Sequence, residues 1–280
     1  MASWDAVVQL IEELAMEHRP FAGRQVPAVG MGTSHTYDVS EVDDVRQRIT
    51  DTALDSGATF VDSSPMYGNA ERILGATIGT RRDEVIVATK VWTADDAEAE
   101  RQIDASLAFF GGHVEVFQVH NLVAWPSRLD QLEARRDRGE LDIVAATHWQ
   151  TSAFDELEKV MRTGRIAAIQ VPYNPHEREV EARIFPLAED LGLGVILMRP
   201  FAAGGLVSRA PAASEMAPLA ELAVATWPQA LLKYGLSHPA VSVTIPATTR
   251  PERMAENAAA GDGPWFGPEE KALVERLAGG

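Results

Sequence analysis

Eight apolar, β-branched runs recur along the chain, and an amphipathic segment of helical length follows each of them. The runs occupy residues 26–32, 58–62, 84–90, 114–120, 141–147, 167–173, 193–200 and 242–247. They are nearly continuous in apolar residues, as expected of parallel strands buried on both faces. Eight β-then-α units predict a closed (β/α)₈ TIM barrel. An open doubly wound sheet is the alternative, but no G-x-G-x-x-G motif follows the first run.

The chain is long enough to form this barrel as one domain. It has 280 residues, 46% of them hydrophobic, so we predict a single domain over residues 1–280. An extra N-terminal helix is predicted within an extension over residues 1–22, where apolar side chains recur at helical spacing at Val7, Leu10, Ile11 and Leu14. This helix is expected to cover the bottom of the barrel, with a contact to a partner or a second copy as the alternative. A last covering helix is expected from Pro268.

The composition argues against several classes of partner. A formal net charge of -16 disfavours nucleic acid and anionic membranes, because both attract cationic surfaces. No apolar run approaches the ~20 residues of a membrane span, and the acidic start lacks the basic segment of a signal peptide. The absence of cysteine fits a reducing compartment. We therefore expect a cytoplasmic protein that is a monomer or a weak homo-oligomer.

Four chemically active side chains stand at or just beyond the ends of consecutive runs. Asp62 ends the second run, and Tyr67 lies in the loop behind it. Lys90 ends the third run, and His120 ends the fourth. The carboxyl ends of all barrel strands meet at one mouth, so these side chains are expected to converge there. A lone strand-end lysine is usually solvated and a lone histidine usually belongs to the core, but four such residues together indicate a catalytic site.

These residues carry a resemblance to a known family. The segment that begins at Asp62 and ends in MYGNAE at residues 66–71, the lysine of VATK and the histidine of FQVH are similar to the motifs of the aldo-keto reductases. The resemblance extends from about Val26 to the C-terminal helix and is closest to bacterial-type members with a short C-terminus. The first motif departs from the family pattern by one inserted alanine before its acid. The resemblance implies NAD(P)H-dependent reduction of an aldehyde or ketone to an alcohol.

The chemistry of the four residues agrees with that implied reaction. Hydride transfer to a carbonyl builds an alkoxide that needs a proton, and Tyr67 is the implied general acid–base. A phenol has a reference pKa near ~10, so it needs activation at neutral pH. We expect Lys90 to lower the pKa of Tyr67, since a buried ammonium favours the phenolate. Asp62 is expected to keep Lys90 charged and oriented, and His120 to donate a hydrogen bond to the substrate carbonyl.

A second group of polar side chains follows the last predicted strand. Arg253, Glu256 and Asn257 share one face of a predicted helix that begins at Pro251. An ordinary solvated face is the alternative, but the resemblance implies that the arginine meets the 2′-phosphate of NADPH and the Glu-Asn pair its adenine. Ala247 stands where the family often has a basic residue, and Arg250 is expected to replace that residue in part. NADPH is therefore the predicted cofactor, with NADH possible.

The nicotinamide end of the predicted cofactor site departs further from the family. Thr147 and His148 stand in place of a Ser-Asn pair, Gln170 matches the family's glutamine, and Met198 replaces a ring-stacking tyrosine. A thioether still packs well on a flat ring. Arg199 follows at the mouth and is expected to meet the pyrophosphate. The other residues predicted along the cofactor are Thr33, Pro200, Phe201, Gly204, Leu206 and Thr248.

The substrate pocket is predicted to be apolar and aromatic. Met66 and Trp92 match positions that line the family's pocket, and Trp125 is a further candidate, although loop aromatics are as often simple packing. Additional contributions are expected from Tyr37, His35 and Trp149. Such a lining suits a bulky or hydrophobic small-molecule carbonyl. The chain also lacks the long C-terminal tail that covers the pocket in part of the family, so an open cleft is expected.

Two other readings remain open from the sequence. The same barrel could serve as a catalytically weak, cofactor-binding regulatory subunit, but such a role does not need all four strand-end residues. A barrel enzyme without redox chemistry could instead use Lys90 to form a Schiff base. That reading leaves Tyr67 and the cluster at residues 253–257 unexplained.

Overall fold

Ten strands form in the part of the chain that the computed structural model describes, residues 16–279. They are β1 (His18–Phe21), β2 (Arg24–Pro27), β3 (Met31–Gly32), β4 (Phe60–Asp62), β5 (Ile86–Val91), β6 (Val114–His120), β7 (Leu141–Thr147), β8 (Ala168–Pro172), β9 (Gly194–Met198) and β10 (Val243–Thr244). Strands β3 to β10 form one parallel sheet in sequence order. The amides of Gly30 and Gly32 close it by donating to the carbonyls of Thr244 and Pro246, at 2.8 and 3.0 Å. The predicted (β/α)₈ barrel is thereby confirmed.

Helices alternate with the barrel strands and cover them on the outside. They are α1 (Asp44–Asp55), α2 (Ala70–Ile78), α3 (Asp96–Phe109), α4 (Trp125–Asp137), α5 (Phe154–Arg162), α6 (Ile184–Leu191), α7 (Ala213–Met216), α8 (Trp227–Leu236), α9 (Pro251–Ala258) and α10 (Pro268–Ala278). Several helices begin at side chains that satisfy a free backbone amide. Asp43 accepts from the Arg46 amide at 2.8 Å, and Asp95 accepts from the Glu98 amide at 2.7 Å.

Within the described part of the chain, a hairpin closes the bottom of the barrel. Strands β1 and β2 pair antiparallel, and Phe21 packs edge-on against Phe60 inside the barrel, with ring centroids 5.8 Å apart. The prediction of a helical extension over residues 1–22 is therefore wrong for residues 18–21, and residues 1–15 lie outside the described part. The run at 26–32 also divides, because residues 26–27 belong to the hairpin and only residues 31–32 form the first barrel strand.

Alternation along the strands separates the barrel interior into an apolar and a polar layer. Side chains two residues apart on a strand point to the same face. The lower inward positions are apolar and form one buried cluster, which includes Phe60, Ala88, Val116 and Ala168. The next positions along the same strands are all polar and buried: Asp62, Lys90, Gln118 and Gln170. This set is called the polar layer below, and it lies at the carboxyl end of the barrel.

None of the helices within residues 16–279 combines the length and the apolar character needed to cross a membrane.

Candidate active site

Lys90 and Asp62 form a buried ion pair at the centre of the polar layer. The ammonium of Lys90 donates to Asp62 Oδ1 at 2.6 Å and to the Ser63 carbonyl at 2.7 Å. Lys90 is 0% exposed. Burial alone would lower the pKa of Lys90, but attraction to Asp62, with a further contribution from Tyr67, more than offsets it, so the pKa lies above its usual value. Lys90 therefore stays charged at neutral pH.

The second carboxylate oxygen of Asp62 is held by two carboxamides. Gln118 and Gln170 each donate their Nε2–H to Asp62 Oδ2, at 3.0 and 2.8 Å. Thr33 donates its hydroxyl to the carbonyl of Asp62 at 2.9 Å, which fixes the backbone at the strand end. Hydrogen bonds to an ionised carboxylate are stronger than those between neutral groups. The orientation of Asp62, and through it that of Lys90, is thus fixed on both sides.

Tyr67 lies above this pair on a short 3₁₀ turn. The turn, Pro65–Tyr67, is capped by Ser64, whose hydroxyl accepts from the Met66 amide at 3.2 Å. The Lys90 ammonium lies 5.1 Å from the centroid of the Tyr67 ring. Burial raises the pKa of the phenol, and the opposing effect of Lys90 does not outweigh it. Lys90 thus acts on the Tyr67 pKa in the predicted direction, but the net pKa of the phenol in the free protein lies above its usual value because desolvation is the larger effect.

His120 completes the group that the sequence analysis placed at the barrel mouth. Its ring meets the Tyr67 ring edge-on, with centroids 5.9 Å apart, and its Nδ1 lies 2.9 Å from the hydroxyl of Ser64. Burial, reinforced by the nearby charge of Lys90, lowers the pKa of His120 to about 2. The imidazole is therefore neutral at physiological pH and can act only as a neutral hydrogen-bonding group.

A cavity of 680 Å³ opens above these residues. Asp62, Tyr67 and His120 line it, while Lys90 lies beneath its floor. Among the predicted cofactor and substrate residues, those that line it are Thr33, Met66, Thr147, Gln170, Met198, Arg199, Pro200, Phe201, Gly204, Ala247, Thr248, Arg253, Glu256 and Asn257. The cavity thus joins the strand-end group to the cluster on α9. Residues 16–279 contain no group of three or more His, Cys, Asp or Glu side chains arranged to hold a metal.

Three predicted cofactor residues do not line this cavity. His148 is half-buried, and its Nδ1 accepts a hydrogen bond from the Gln150 amide at 3.0 Å. Leu206 belongs to the outer core, and its carbonyl accepts from the Trp227 indole at 2.9 Å. Arg250 is exposed at the residue that precedes α9. The structure therefore does not bring these three predicted residues to the cavity lining.

Three of the aromatic residues named as candidates also lie outside the cavity. Trp125 begins α4 and donates its indole N–H to Glu156 at 2.7 Å, so it ties two helices together. Trp92 is exposed in the loop after β5 and does not line the cavity. Tyr37 is fully buried, with its hydroxyl 2.8 Å from that of Thr50. The lining instead includes His35 and Trp149, together with Ser34 and Asn121, which the sequence analysis missed.

The side chain of Arg199 is already paired within the protein. Its guanidinium lies 3.0 Å from a carboxylate oxygen of Glu177 and 5.5 Å from the centroid of the Trp149 ring. The buried Asn174 donates to the Arg199 carbonyl at 2.9 Å and to the Glu177 carboxylate at 2.6 Å. These contacts hold the Arg199 side chain and its backbone at the wall of the cavity. The predicted contact of Arg199 with a pyrophosphate therefore stays a prediction.

The loop after β6 has an uncommon backbone. Asn121, Leu122 and Ala124 adopt positive φ angles of 52°, 55° and 48°. Residues other than glycine seldom take this conformation, which costs about 1–3 kcal/mol at each position. Such strain persists where the surrounding structure enforces it, often beside functional sites. Here the strained loop directly follows His120 and brings Asn121 to the cavity wall.

The fold and this geometry together define an acid–base site at the mouth of a parallel α/β barrel. A family model described as the aldo/keto reductase family matches residues 28–277. The chain therefore belongs to the aldo/keto reductase family.

Relatives and solved structures agree with this assignment. The chain is 30% identical over 219 residues to the uncharacterized oxidoreductase YrpG of Bacillus subtilis, covering 67% of each chain. It is 26% identical over 226 residues to the aldo-keto reductase YhdN of the same organism, covering 69% of this chain and 65% of YhdN. An aldo/keto reductase from Klebsiella pneumoniae, solved with NADP and acetate, superposes with a TM-score of 0.78 at 25% identity, over 94% of this chain and 95% of that one.

Proposed function

We propose that the protein is an NADPH-dependent reductase that converts an aldehyde or ketone to an alcohol. The observation that carries the proposal is the buried Lys90–Asp62 pair, at 2.6 Å, directly beneath Tyr67. A buried ion pair is costly to desolvate, and a barrel of packed apolar residues would not need one. Its place under a phenol at the mouth of a cavity supports a catalytic role. Membership of the aldo/keto reductase family supports the same chemistry.

The cavity residues fit a nicotinamide dinucleotide. At one end, Thr147 and Gln170 offer a hydroxyl and a carboxamide, which suit the polar carboxamide of a nicotinamide. At the other end, Arg253 is exposed on α9 and lines the cavity, so its cation suits the 2′-phosphate that distinguishes NADPH from NADH. The NADP bound to the similar Klebsiella pneumoniae protein supports this choice.

The chain's own residues supply the proton chemistry in this proposal. The cofactor, when bound, supplies a hydride to the carbonyl carbon. Tyr67 donates its phenolic proton to the carbonyl oxygen, and Lys90 stabilises the phenolate that remains until it regains a proton from solvent. Asp62 holds Lys90 in place. His120, being neutral, donates a hydrogen bond that orients the carbonyl toward the hydride.

The substrate class is inferred from the walls of the cavity. Met66 and Trp149 are exposed at its rim, at 45% and 44%, so they offer apolar surface to a ligand. Ser34 and Asn121 add polar groups to the same lining. We propose a bulky carbonyl compound with an apolar or ring-bearing part. Turnover restricted to small aldehydes in a substrate panel would contradict this proposal.

Replacing Tyr67 by phenylalanine tests the proposed reaction. The variant Tyr67→Phe lacks the proton donor but keeps the ring, so we expect NADPH oxidation with a carbonyl panel to fall by about 100-fold or more. NADPH binding, measured by fluorescence quenching, should stay within a factor of about two because the phenol oxygen is the only group removed. Retained turnover would exclude Tyr67 as the general acid.

The matched control is Tyr37→Phe. Tyr37 also carries a buried hydroxyl, but it bonds to Thr50 away from the cavity. This variant should keep its turnover and lose only some stability. Absence of NADPH oxidation by the unmodified protein across aldehydes, ketones and quinones would contradict the proposed function as a whole.

A further inference from the structure

Gln118 is the member of the polar layer for which the proposed reaction has no role. It lies on β6, two residues before His120, and is 0% exposed. Its Nε2 donates to Asp62 Oδ2 at 3.0 Å. Its Oε1 is buried and has no hydrogen-bond partner among the described residues. A buried acceptor without a partner costs about 1–3 kcal/mol, which leucine, of similar size, would avoid at this position.

We propose that Gln118 is a positioning residue of the acid–base site, acting through Asp62 on Lys90 and Tyr67. Its amide is one of two that hold Asp62 Oδ2, and the other belongs to Gln170. Gln170 lines the cavity and Gln118 does not. A ligand in the cavity can compete for Gln170, whereas Gln118 keeps its bond to Asp62 throughout. The inference rests on the proposed reductase function, because it assigns Gln118 to that site.

The surroundings of Asp62 define what a change at Gln118 would do. Inside the barrel the neighbouring charged or titratable groups are Lys90, Tyr67 and His120, and on the outer side of β5 the buried Glu71 also acts on Lys90. Lys90 is the cation in this group, and it contacts Asp62 and lies under the ring of Tyr67. Loss of the Gln118 donor leaves only Gln170 on Asp62 Oδ2 among the described residues, so the carboxylate and the Lys90 ammonium bound to it are held less tightly toward Tyr67.

Two substitutions separate positioning from simple packing. Gln118→Leu removes the donor and keeps the volume, so kcat should fall by about 10-fold or more at every pH. Gln118→Glu places a second carboxyl beside Asp62, and two carboxyls this close share a proton. While protonated, that carboxyl can donate to Asp62 in place of the amide. Its ionised form repels Asp62, so kcat of Gln118→Glu should approach that of the unmodified protein at low pH and fall as pH rises.

A second readout does not depend on turnover. The buried ammonium of Lys90 should give a slowly exchanging resonance in ¹H–¹⁵N spectra, assigned by its absence in Lys90→Met. We expect Gln118→Leu to shift or broaden this resonance, because Asp62 is held less tightly. Thr244→Val is the matched control, since Thr244 is also fully buried on a barrel strand with an unpartnered hydroxyl. This control should leave both the resonance and the pH profile unchanged.

The outcomes separate this inference from the proposed function. If the unmodified protein reduces carbonyls, and both Gln118 variants keep kcat within about twofold with the pH profile and the Lys90 resonance unchanged, the positioning role is refuted and the reductase function stands. If the unmodified protein shows no turnover, the reductase function fails, and the Lys90 resonance alone decides whether Gln118 orients the pair. If Gln118→Leu does not fold, Gln118→Glu carries the same test.

Discussion

At the scale of single residues, burial and charge act on Tyr67 in opposite directions. Desolvation raises the pKa of the phenol, and the ammonium of Lys90 lowers it by a smaller amount. The phenol therefore keeps its proton at neutral pH in the free protein. A proton donor for carbonyl reduction needs to be protonated at the start of the reaction, so the neutral phenol fits the role proposed for Tyr67.

The buried imidazole of His120 makes stability depend on pH. Its folded-state pKa is lowered to about 2, while an unfolded histidine titrates near ~6.5. Below about pH 6.5 the unfolded chain binds a proton that the folded protein does not, so the folded state loses stability as pH falls. Between pH 7 and pH 5, His120 should account for about 2 kcal/mol of that loss.

This loss is measured by urea unfolding at both pH values. His120→Asn should reduce the difference in unfolding free energy between pH 7 and pH 5 by most of the roughly 2 kcal/mol assigned to His120. His18→Asn, which changes an exposed histidine, should leave this difference as it is in the unmodified protein. Equal pH dependence in the unmodified protein and His120→Asn would contradict the assignment of a neutral, buried imidazole.

The strand-end residues were predictable from sequence, and their supporting partners were not. Asp62, Lys90 and His120 each end an apolar run, and barrel topology alone brings such positions together. Gln118 lies within its run, where a single polar residue gives no sign of what it meets across the barrel. Ser34 and Asn121 lie in loops, whose paths depend on backbone conformations such as the positive φ of Asn121. Long-range contacts and loop conformation are therefore what the sequence alone did not provide.

At the scale of elements, the hairpin at the bottom of the barrel was missed for a local reason. The run at 26–32 is continuously apolar, so its division between β2 and β3 leaves no break in the pattern. A turn does separate strands β1 and β2, at Ala22 and Gly23. Ala22 adopts a φ of 47° and Gly23 a φ of 82°. Two-residue hairpin turns need this conformation. The predicted amphipathic helix over the first residues obscured this turn.

The hairpin should stabilise the barrel without contributing to the chemistry. Phe21 is 1% exposed and fills the lower barrel interior. Phe21→Ala should lower the free energy of unfolding by about 3–5 kcal/mol through the cavity it leaves. Kd for NADPH should stay unchanged, because the hairpin lies at the opposite end of the strands from the polar layer.

Urea unfolding and fluorescence titration measure the two quantities. Phe109→Ala is the control, since that ring is 38% exposed at the end of α3, and it should cost less than about 1 kcal/mol. A weakened NADPH affinity in Phe21→Ala would show that the two ends of the barrel are coupled, against this prediction.

At the scale of the whole molecule, the cavity joins elements that are distant in sequence. Thr33 follows β3, Thr147 ends β7 and Arg253 lies on α9, and all three line it. A ligand that binds only the folded protein stabilises the whole of it by mass action, by about 2.7 kcal/mol at 100 times its Kd. At a concentration of 100 times its Kd, we therefore expect NADPH to raise the free energy of unfolding by about 2.7 kcal/mol.

Arg253→Ala tests how this stabilisation depends on the 2′-phosphate. At the same NADPH concentration, the free energy of unfolding of Arg253→Ala should rise much less than that of the unmodified protein. The rise caused by NADH should be the same in both proteins. Arg250→Ala serves as the control, because Arg250 is exposed and does not line the cavity. Equal losses in the two variants, or tighter binding of NADH than of NADPH by the unmodified protein, would contradict the cofactor proposal.

The polar layer and the cavity walls come from different kinds of segment, and this affects how the protein can change. Asp62, Lys90, Gln118 and Gln170 all lie on barrel strands, whereas Met66, Asn121 and Trp149 lie in the loops beyond them. Loops tolerate insertion and exchange far better than packed strands do. The walls of the cavity can therefore change by remodelling of loops while the polar layer on the strands is kept intact. Tyr67 itself lies on a loop turn that also carries Met66, so exchange of that segment would change the cavity wall and remove the proposed proton donor together.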